Sequence, residues 1–179
     1  QSLLEALLAA GTTITAQVTV TGLAGTVWEP LVPSCSYSGI PQLAQIIGGV
    51  DHICWRYDPI IPSVHNPEVF QCLAAKISSY GVKRGVINFI AGPGTYKRVD
   101  DRLAGRLPGW SEGMPGYDDA WRAQVAAELV AIAQPLGLQL ACCAESFKLA
   151  ELVPNLRRAA CGTANNTNVA CIDIIDSEF

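Results

Sequence analysis

The sequence is poor in charge. Only 16% of its 179 residues are Asp, Glu, Lys or Arg, and the formal net charge is -4. So mild an acidity excludes a global pull toward nucleic acid or an anionic membrane, and either partner would need a local basic patch. No apolar run approaches the roughly 20 residues of a membrane-spanning helix. The seven cysteines include no Cys-x-x-Cys pair, and nothing at the N-terminus reads as a signal peptide. An odd cysteine count in a chain of this size argues against a disulfide scaffold, so the expectation is reduced thiols in a cytoplasmic protein. There is no internal repeat, no low-complexity tract and no local signature of a nucleophile–His–acid triad. His52 and His65 flank the same predicted strand without suggesting a dyad.

What is present is a globular core. Half of the residues are apolar, enough for one domain over residues 1–179 and too few for two comfortable ones. Residue 1 is Gln rather than Met, and Leu3, Leu4, Leu7 and Leu8 already follow a helical spacing. The chain is therefore expected to start inside a helix, at a processed or fragmentary N-terminus. Residues 2–10 read as that helix, stopped by Gly11. Thr13 to Thr21 is rich in β-branched residues and reads as a strand closed by Gly22. A proline-rich loop with Trp28, Glu29, Pro30 and Pro33 follows, then a short helix from Ile40 to Ile47 with Pro41 in its first turn.

The second strand is predicted over Ile53 to Tyr57. Pro59 cannot donate to a sheet ladder and biases Asp58 away from helix, so the strand should end before it. Pro67 to Tyr80 is a helix with Asn66 as its N-cap, Gly85 to Ala91 a strand, Asp118 to Gln134 a helix, and Leu138 to Ala144 a strand. Beyond Glu145 the pattern weakens. Phe147 to Leu152 and Leu156 to Ala160 read as helical turns, residues 163–168 as a polar loop, and Val169 to Ile175 as a strand or a terminal helix. Strands that are nearly continuous apolar runs, alternating with helices, signal a parallel sheet. No glycine-rich fingerprint follows the first strand, as an open dinucleotide-binding sheet would have. A full eight-stranded barrel needs about 250 residues. The expected fold is therefore α/β, a partial (β/α) TIM-like barrel with parallel strands inside and helices outside.

Parallel strands bring their C-terminal ends to one rim, where barrel sites form. Across those ends stand Thr19 and Thr21, then Arg56 and Asp58, then Asn88, then Cys143 and Glu145, with Glu29 from the first loop. An arginine and an aspartate at the end of a buried strand are costly unless paired or used. Arg56 and Asp58 therefore either brace the strand end or work as catalytic groups. Glu145 either caps the next helical turn or serves as general acid/base. Thr19, Thr21, Glu29 and Asn88 are candidate substrate contacts, and a buried amide such as Asn88 needs partners.

The segment from Gly92 to Tyr117 is long for a βα connection and is a candidate lid. Arg98, Arg102 and Arg106 recur at four-residue spacing. They form either a solvated face partly neutralised by Asp100 and Asp101, or an anion clamp in which Lys97 or Arg98 leans over the rim. No metal site is expected from this chain alone. Cys142 and Cys143 are adjacent in a strand and point to opposite faces, and the spacing of Cys161 and Cys171 matches no familiar zinc or cluster pattern.

Several stretches resemble a family of uncharacterised bacterial barrel proteins, a domain of unknown function similar in look to radical S-adenosylmethionine enzymes. They are Val18-Thr19-Val20-Thr21-Gly22 with Glu29-Pro30 and Val32-Pro33, then Trp55-Arg56-Tyr57-Asp58-Pro59-Ile60, Tyr96-Lys97-Arg98, Cys143-Ala144-Glu145 and Cys171-Ile172-Asp173. Members of that family look longer, with an N-terminal Ser-Arg-Arg-Thr-Asp-type motif and a C-terminal Cys-x3-Cys-x2-Cys group suited to an iron–sulfur cluster. This chain has neither motif and looks like the central and later part of such a barrel. The resemblance implies an iron–sulfur and S-adenosylmethionine dependent reaction with the cluster ligands outside this chain. Two functions are carried forward. One is the substrate-binding part of such an enzyme, with a rim that holds a small, anionic ligand. The other is a non-catalytic binding module or barrel remnant whose open edges are covered by a partner chain or a second copy.

Overall fold

The structure is a computed structural model and describes residues 3–33, 36–114, 117–142, 147–158 and 169–174. A first helix α1 (Leu3–Ala9) leads into strand β1 (Thr13–Thr19), whose burial alternates residue by residue. Ile14, Ala16 and Val18 are buried, and Thr15, Gln17 and Thr19 are half-buried on the opposite face. Helix α2 (Ile40–Ile47) buries Ile40, Leu43 and Ile47 and ends at Gly48, whose φ of 92° suits a residue without a Cβ. Strand β2 (Ile53–Ile60) is followed by helix α3 (Pro67–Ser79). The Asn66 carboxamide oxygen accepts from the N–H groups of Glu68 and Val69, satisfying two of the donors a helix start leaves open.

Strand β3 (Arg84–Phe89), helices α4 (Lys97–Leu103) and α5 (Asp119–Ala133), strand β4 (Gln139–Cys142), helix α6 (Phe147–Leu152) and strands β5 (Arg157–Arg158) and β6 (Val169–Ile174) complete the described chain. The six strands form one sheet in the order β5-β4-β3-β2-β1-β6. Every neighbouring pair is parallel. Strands β1 to β5 step across the sheet in one direction, an order in which crossovers of one hand leave the connecting helices on one face, and α3 packs on α5 and α5 on α6. Parallel strands with covering helices agree with the expected fold class. The sheet is not closed: among the described residues β5 and β6 are its outer strands.

The core lies between the sheet and the helices. Trp55 and Phe70 are fully buried and stack with ring centroids 5.1 Å apart, and Tyr57 meets Phe70 edge-on at 4.9 Å. The Trp55 indole Nε1–H donates to the Val20 carbonyl at 2.9 Å, so the large ring is buried without an orphaned donor. Burying side chains of this size contributes roughly 1.5–3 kcal/mol each. Gly85 stands where β3 passes β4. A Cβ there would lie 2.8 Å from the Leu140 side chain.

Three expectations need correction. β2 does not stop at Tyr57 but runs through Pro59 to Ile60. Its pairing with β3 shifts register between Tyr57 and Ile60, and such an irregularity accommodates a proline, which has no N–H to give a ladder. Residues 157–158 are not a helical turn. They pair with Ala141 and Cys142 of β4, a tertiary contact that local pattern does not encode. Nor is the segment after β3 a bare lid. It contains α4 and buries Leu103, Leu107, Trp110 and Met114 in a second apolar cluster with Ile61 and Ile90. The alternatives left open for the last segment resolve as a strand, since β6 pairs with β1 along six positions.

Candidate functional site

Sheet register brings four of the predicted residues to one face near the C-terminal ends of β1, β2 and β3. Thr19 is the partner of Arg56, and Arg56 the partner of Val86. Strand alternation puts Asp58 and Asn88 on that same face, two residues further along β2 and β3. The face is opposite to the one covered by Trp55, Tyr57 and Phe89. The Arg56 guanidinium donates to the Asp58 carboxylate. The two side chains are 27% and 10% exposed, so the pair is largely withdrawn from water. Asn88 is half-buried, and its amide makes no hydrogen bond among the described residues.

Just beyond β1 the chain closes a tight loop. The Gly25 N–H donates to the Glu29 carbonyl at 2.9 Å, and Ala24 and Glu29 form an isolated bridge. That loop returns Glu29 to the strand end, where its Oε2 accepts from the Thr21 hydroxyl at 2.6 Å. Thr21 is 5% exposed, and its oxygen in turn accepts from the Leu23 N–H at 3.1 Å. Thr19, Thr21 and Glu29 line one cavity of about 230 Å³ together with Gly22 and Tyr37. Glu29 also lines a neighbouring cleft of about 170 Å³ that opens toward α4. The carboxylate thus stands between two cavities, held by one short bond and with lone pairs to spare for a ligand hydroxyl, amine or labile proton.

Lys97 stands apart from these residues. It is exposed on α4 and bonds Asp101, one helical turn on, at 2.9 Å. Glu145 and Cys143 lie outside the described residues. The described cysteines do not gather. Cys54 and Cys142 are buried in separate strands and Cys72 is exposed on α3. Among the described residues no group of three or more His, Cys, Asp or Glu could hold a metal ion.

The sequence reading missed one contact. The Tyr57 hydroxyl and His65 Nδ1 share a hydrogen bond of 3.1 Å on the helix-covered side. Burial pushes the Tyr57 phenol up to about 12. Burial also lowers the His65 imidazole below its usual value, an effect Glu128 partly opposes. The signal that could have found it is the parity of β2, which turns Tyr57 toward the start of α3, where His65 precedes the Asn66 cap. Among the described residues no helix is long and apolar enough to cross a membrane.

A family model described as "Domain of unknown function (DUF1848)" matches residues 2–173. No curated protein and no solved structure matches the chain.

Proposed function

The chain belongs to the family of the domain of unknown function DUF1848, and we propose that it binds a small molecule at the carboxyl ends of β1, β2 and β3 as part of a (β/α)-barrel enzyme. The observation that carries this reading is the meeting of Thr19, Thr21 and Glu29 at one cavity, with Arg56 the partner of Thr19 on the next strand. Open parallel sheets and barrels alike place ligands at this end of the strands. The barrel part is supported by strand order. Around the sheet the sequence β1 to β5 is kept, and β6 pairs with β1 as a barrel's last strand pairs with its first. In this reading Glu29 accepts a ligand proton or hydrogen bond and Thr19 and Asn88 orient the ligand. Arg56 and Asp58 are the candidate catalytic pair, with Glu145 as a third candidate by resemblance. Iron–sulfur and S-adenosylmethionine chemistry rests on the resemblance alone, and no step is assigned to it.

The test begins with protein purified under native conditions and then denatured, the released small molecules being identified by mass spectrometry. Wild-type protein is expected to release a compound that the Thr19→Val/Asn88→Leu double variant releases in much smaller amount at an unchanged melting temperature. Equal release from both proteins would sink the assignment. So would a wild type that releases nothing and shows no saturable binding to a metabolite library by ligand-observed NMR.

A second reading is favoured by the outer strands. β5 is two residues long with both side chains exposed, so a partner chain or a second copy covering that edge is the alternative use of this fold. A stable monomer by light scattering would remove its motive.

A further inference from the structure

We infer that the cleft between the Trp28 loop and α4 holds the anionic end of the ligand, a phosphate or carboxylate on a small apolar body, with Arg102 and Arg106 as its cationic contacts. The inference deepens the rim reading and depends on it only for the neighbouring cavity that Glu29 shares.

The acids of α4 already have partners. Asp101 bonds Lys97 at 2.9 Å. Asp100 accepts from the Trp110 indole at 3.0 Å and from the Gly94 N–H at 3.2 Å. Neither forms an ion pair with Arg102 or Arg106. Among the described residues Arg102 and Arg106 make no ion pair or side-chain hydrogen bond. Both line the same cleft of about 170 Å³, although Arg106 lies past the end of α4, in a turn whose N–H donates to the Leu103 carbonyl at 2.9 Å. Two arginines lining one cleft supply the charge and the planar donors that suit a phosphate or carboxylate.

The remaining walls decide what the anion is attached to. Trp28, Pro59, Ile61, Ile90, Val99 and Leu103 line the cleft, and they present an aromatic and aliphatic surface. Val27, at the same cleft, is 72% exposed, an apolar side chain left beside an opening. The volume is below the ~300 Å³ typical of sites for drug-sized ligands, so the fit is to a single-ring or short-chain body. Glu29 on the far side repels a second negative charge and favours a neutral or amine-bearing end reaching toward Thr21. The support is fixed, because Leu103, Leu107 and Trp110 anchor the arginine-bearing segment in the second apolar cluster.

The experiment is a titration of the full chain with four probes, followed through the tryptophan indole N–H signals in NMR spectra. Phenyl phosphate and benzoate carry anion and body, inorganic phosphate carries the anion alone, and benzyl alcohol the body alone. The expected result is saturable binding of phenyl phosphate or benzoate, at least tenfold tighter than either half-probe and weakened by added salt. The stronger of the two names the anion. Arg102→Gln/Arg106→Gln should lose that binding at least tenfold, while Arg98→Gln, an exposed cation that does not line the cleft, should leave it unchanged. Both variants change exposed side chains, and unchanged melting confirms that they fold. Equal binding of phenyl phosphate and benzyl alcohol, retention of binding by the double variant, or no binding of either anionic probe would overturn the inference. The Thr19→Val/Asn88→Leu release experiment reads the rim separately, so a failed cleft and a failed rim give different results.

Discussion

Replacing Arg56 by methionine leaves the Asp58 carboxylate 10% exposed and without its guanidinium partner. Stranding one member of a fully buried pair costs about 3–5 kcal/mol, whereas exposed pairs contribute about 0–1 kcal/mol. This pair is intermediate, because Arg56 keeps 27% of its side chain in contact with water. The expected cost of Arg56→Met is therefore about 2 kcal/mol. Asp58→Asn should cost less, about 1 kcal/mol, since the amide still accepts a hydrogen bond and Arg56 has a further interaction. In the double variant neither charge is stranded, so its cost should fall at least about 1 kcal/mol short of the sum of the singles. For a domain of this size 1 kcal/mol moves the melting temperature by roughly 2–4 °C, so Arg56→Met should melt about 4–8 °C lower. Urea unfolding of the four proteins, with unchanged m values, gives the cycle. Strict additivity would refute a coupled pair. Single variants that melt like wild type yet release no bound compound would refute the brace and leave a site.

Gly22→Ala should destabilise by about 2–3 kcal/mol. Gly22 has a φ of +78° and its Cβ would lie 2.4 Å from Val69 Cγ1 on α3; adding Val69→Ala should restore part of the loss in denaturant unfolding, and no restoration would count against the clash. His65 titrates below its usual value of 6.5 because burial disfavours its charge, so below pH 6.5 the unfolded chain takes up more protons than the folded one. The stability this neutral imidazole contributes is full above pH 6.5 and is lost as pH falls toward the lowered folded value. His65→Gln should melt with a shallower dependence between pH 7 and 5, and parallel curves would refute the account. Cys72 is exposed while Cys54 and Cys142 are buried, so brief maleimide labelling and peptide mapping should find Cys72 modified first of these three. Equal rates would contradict the burial.

Much of the architecture was legible because its signals are local. Asn66-Pro67 starts α3 as capping chemistry requires, and the β-branched residues from Thr13 onward form β1. The shared strand end of the candidate residues was legible for the same reason. If strands are parallel, the last polar residues of each must share an end, and Thr19, Arg56, Asp58 and Asn88 do. The rest depends on contacts between distant parts of the chain. Nothing in Leu156 to Ala160 reports that β4 has an open side for Arg157 and Arg158 to join. Pro59 reads as a stop unless the register shift against β3 is known. The long segment after β3 reads as a lid until Ile61 and Ile90, far apart in sequence, are seen to supply the apolar partners for Leu103 and Trp110.

The same distinction separates charges that hold the fold from charges left for a ligand. Four-residue spacing makes Arg98, Arg102 and Arg106 look equivalent, and Asp100 and Asp101 look like their counterions. Three-dimensional bonding sorts them differently. Asp101 pairs with Lys97 on the exposed face of α4, and Asp100 accepts from Trp110 and Gly94, which ties the loop to the helix. On β2 the Arg56 charge is matched by Asp58. The charged residues that line the cleft are Arg102 and Arg106, from α4 and the turn after it, and Glu29, from the first loop. In the proposed cleft an anionic group would be drawn toward Arg102 and Arg106 and a donor group toward Glu29. A ligand bound as proposed would be oriented by charge before any shape complementarity is considered.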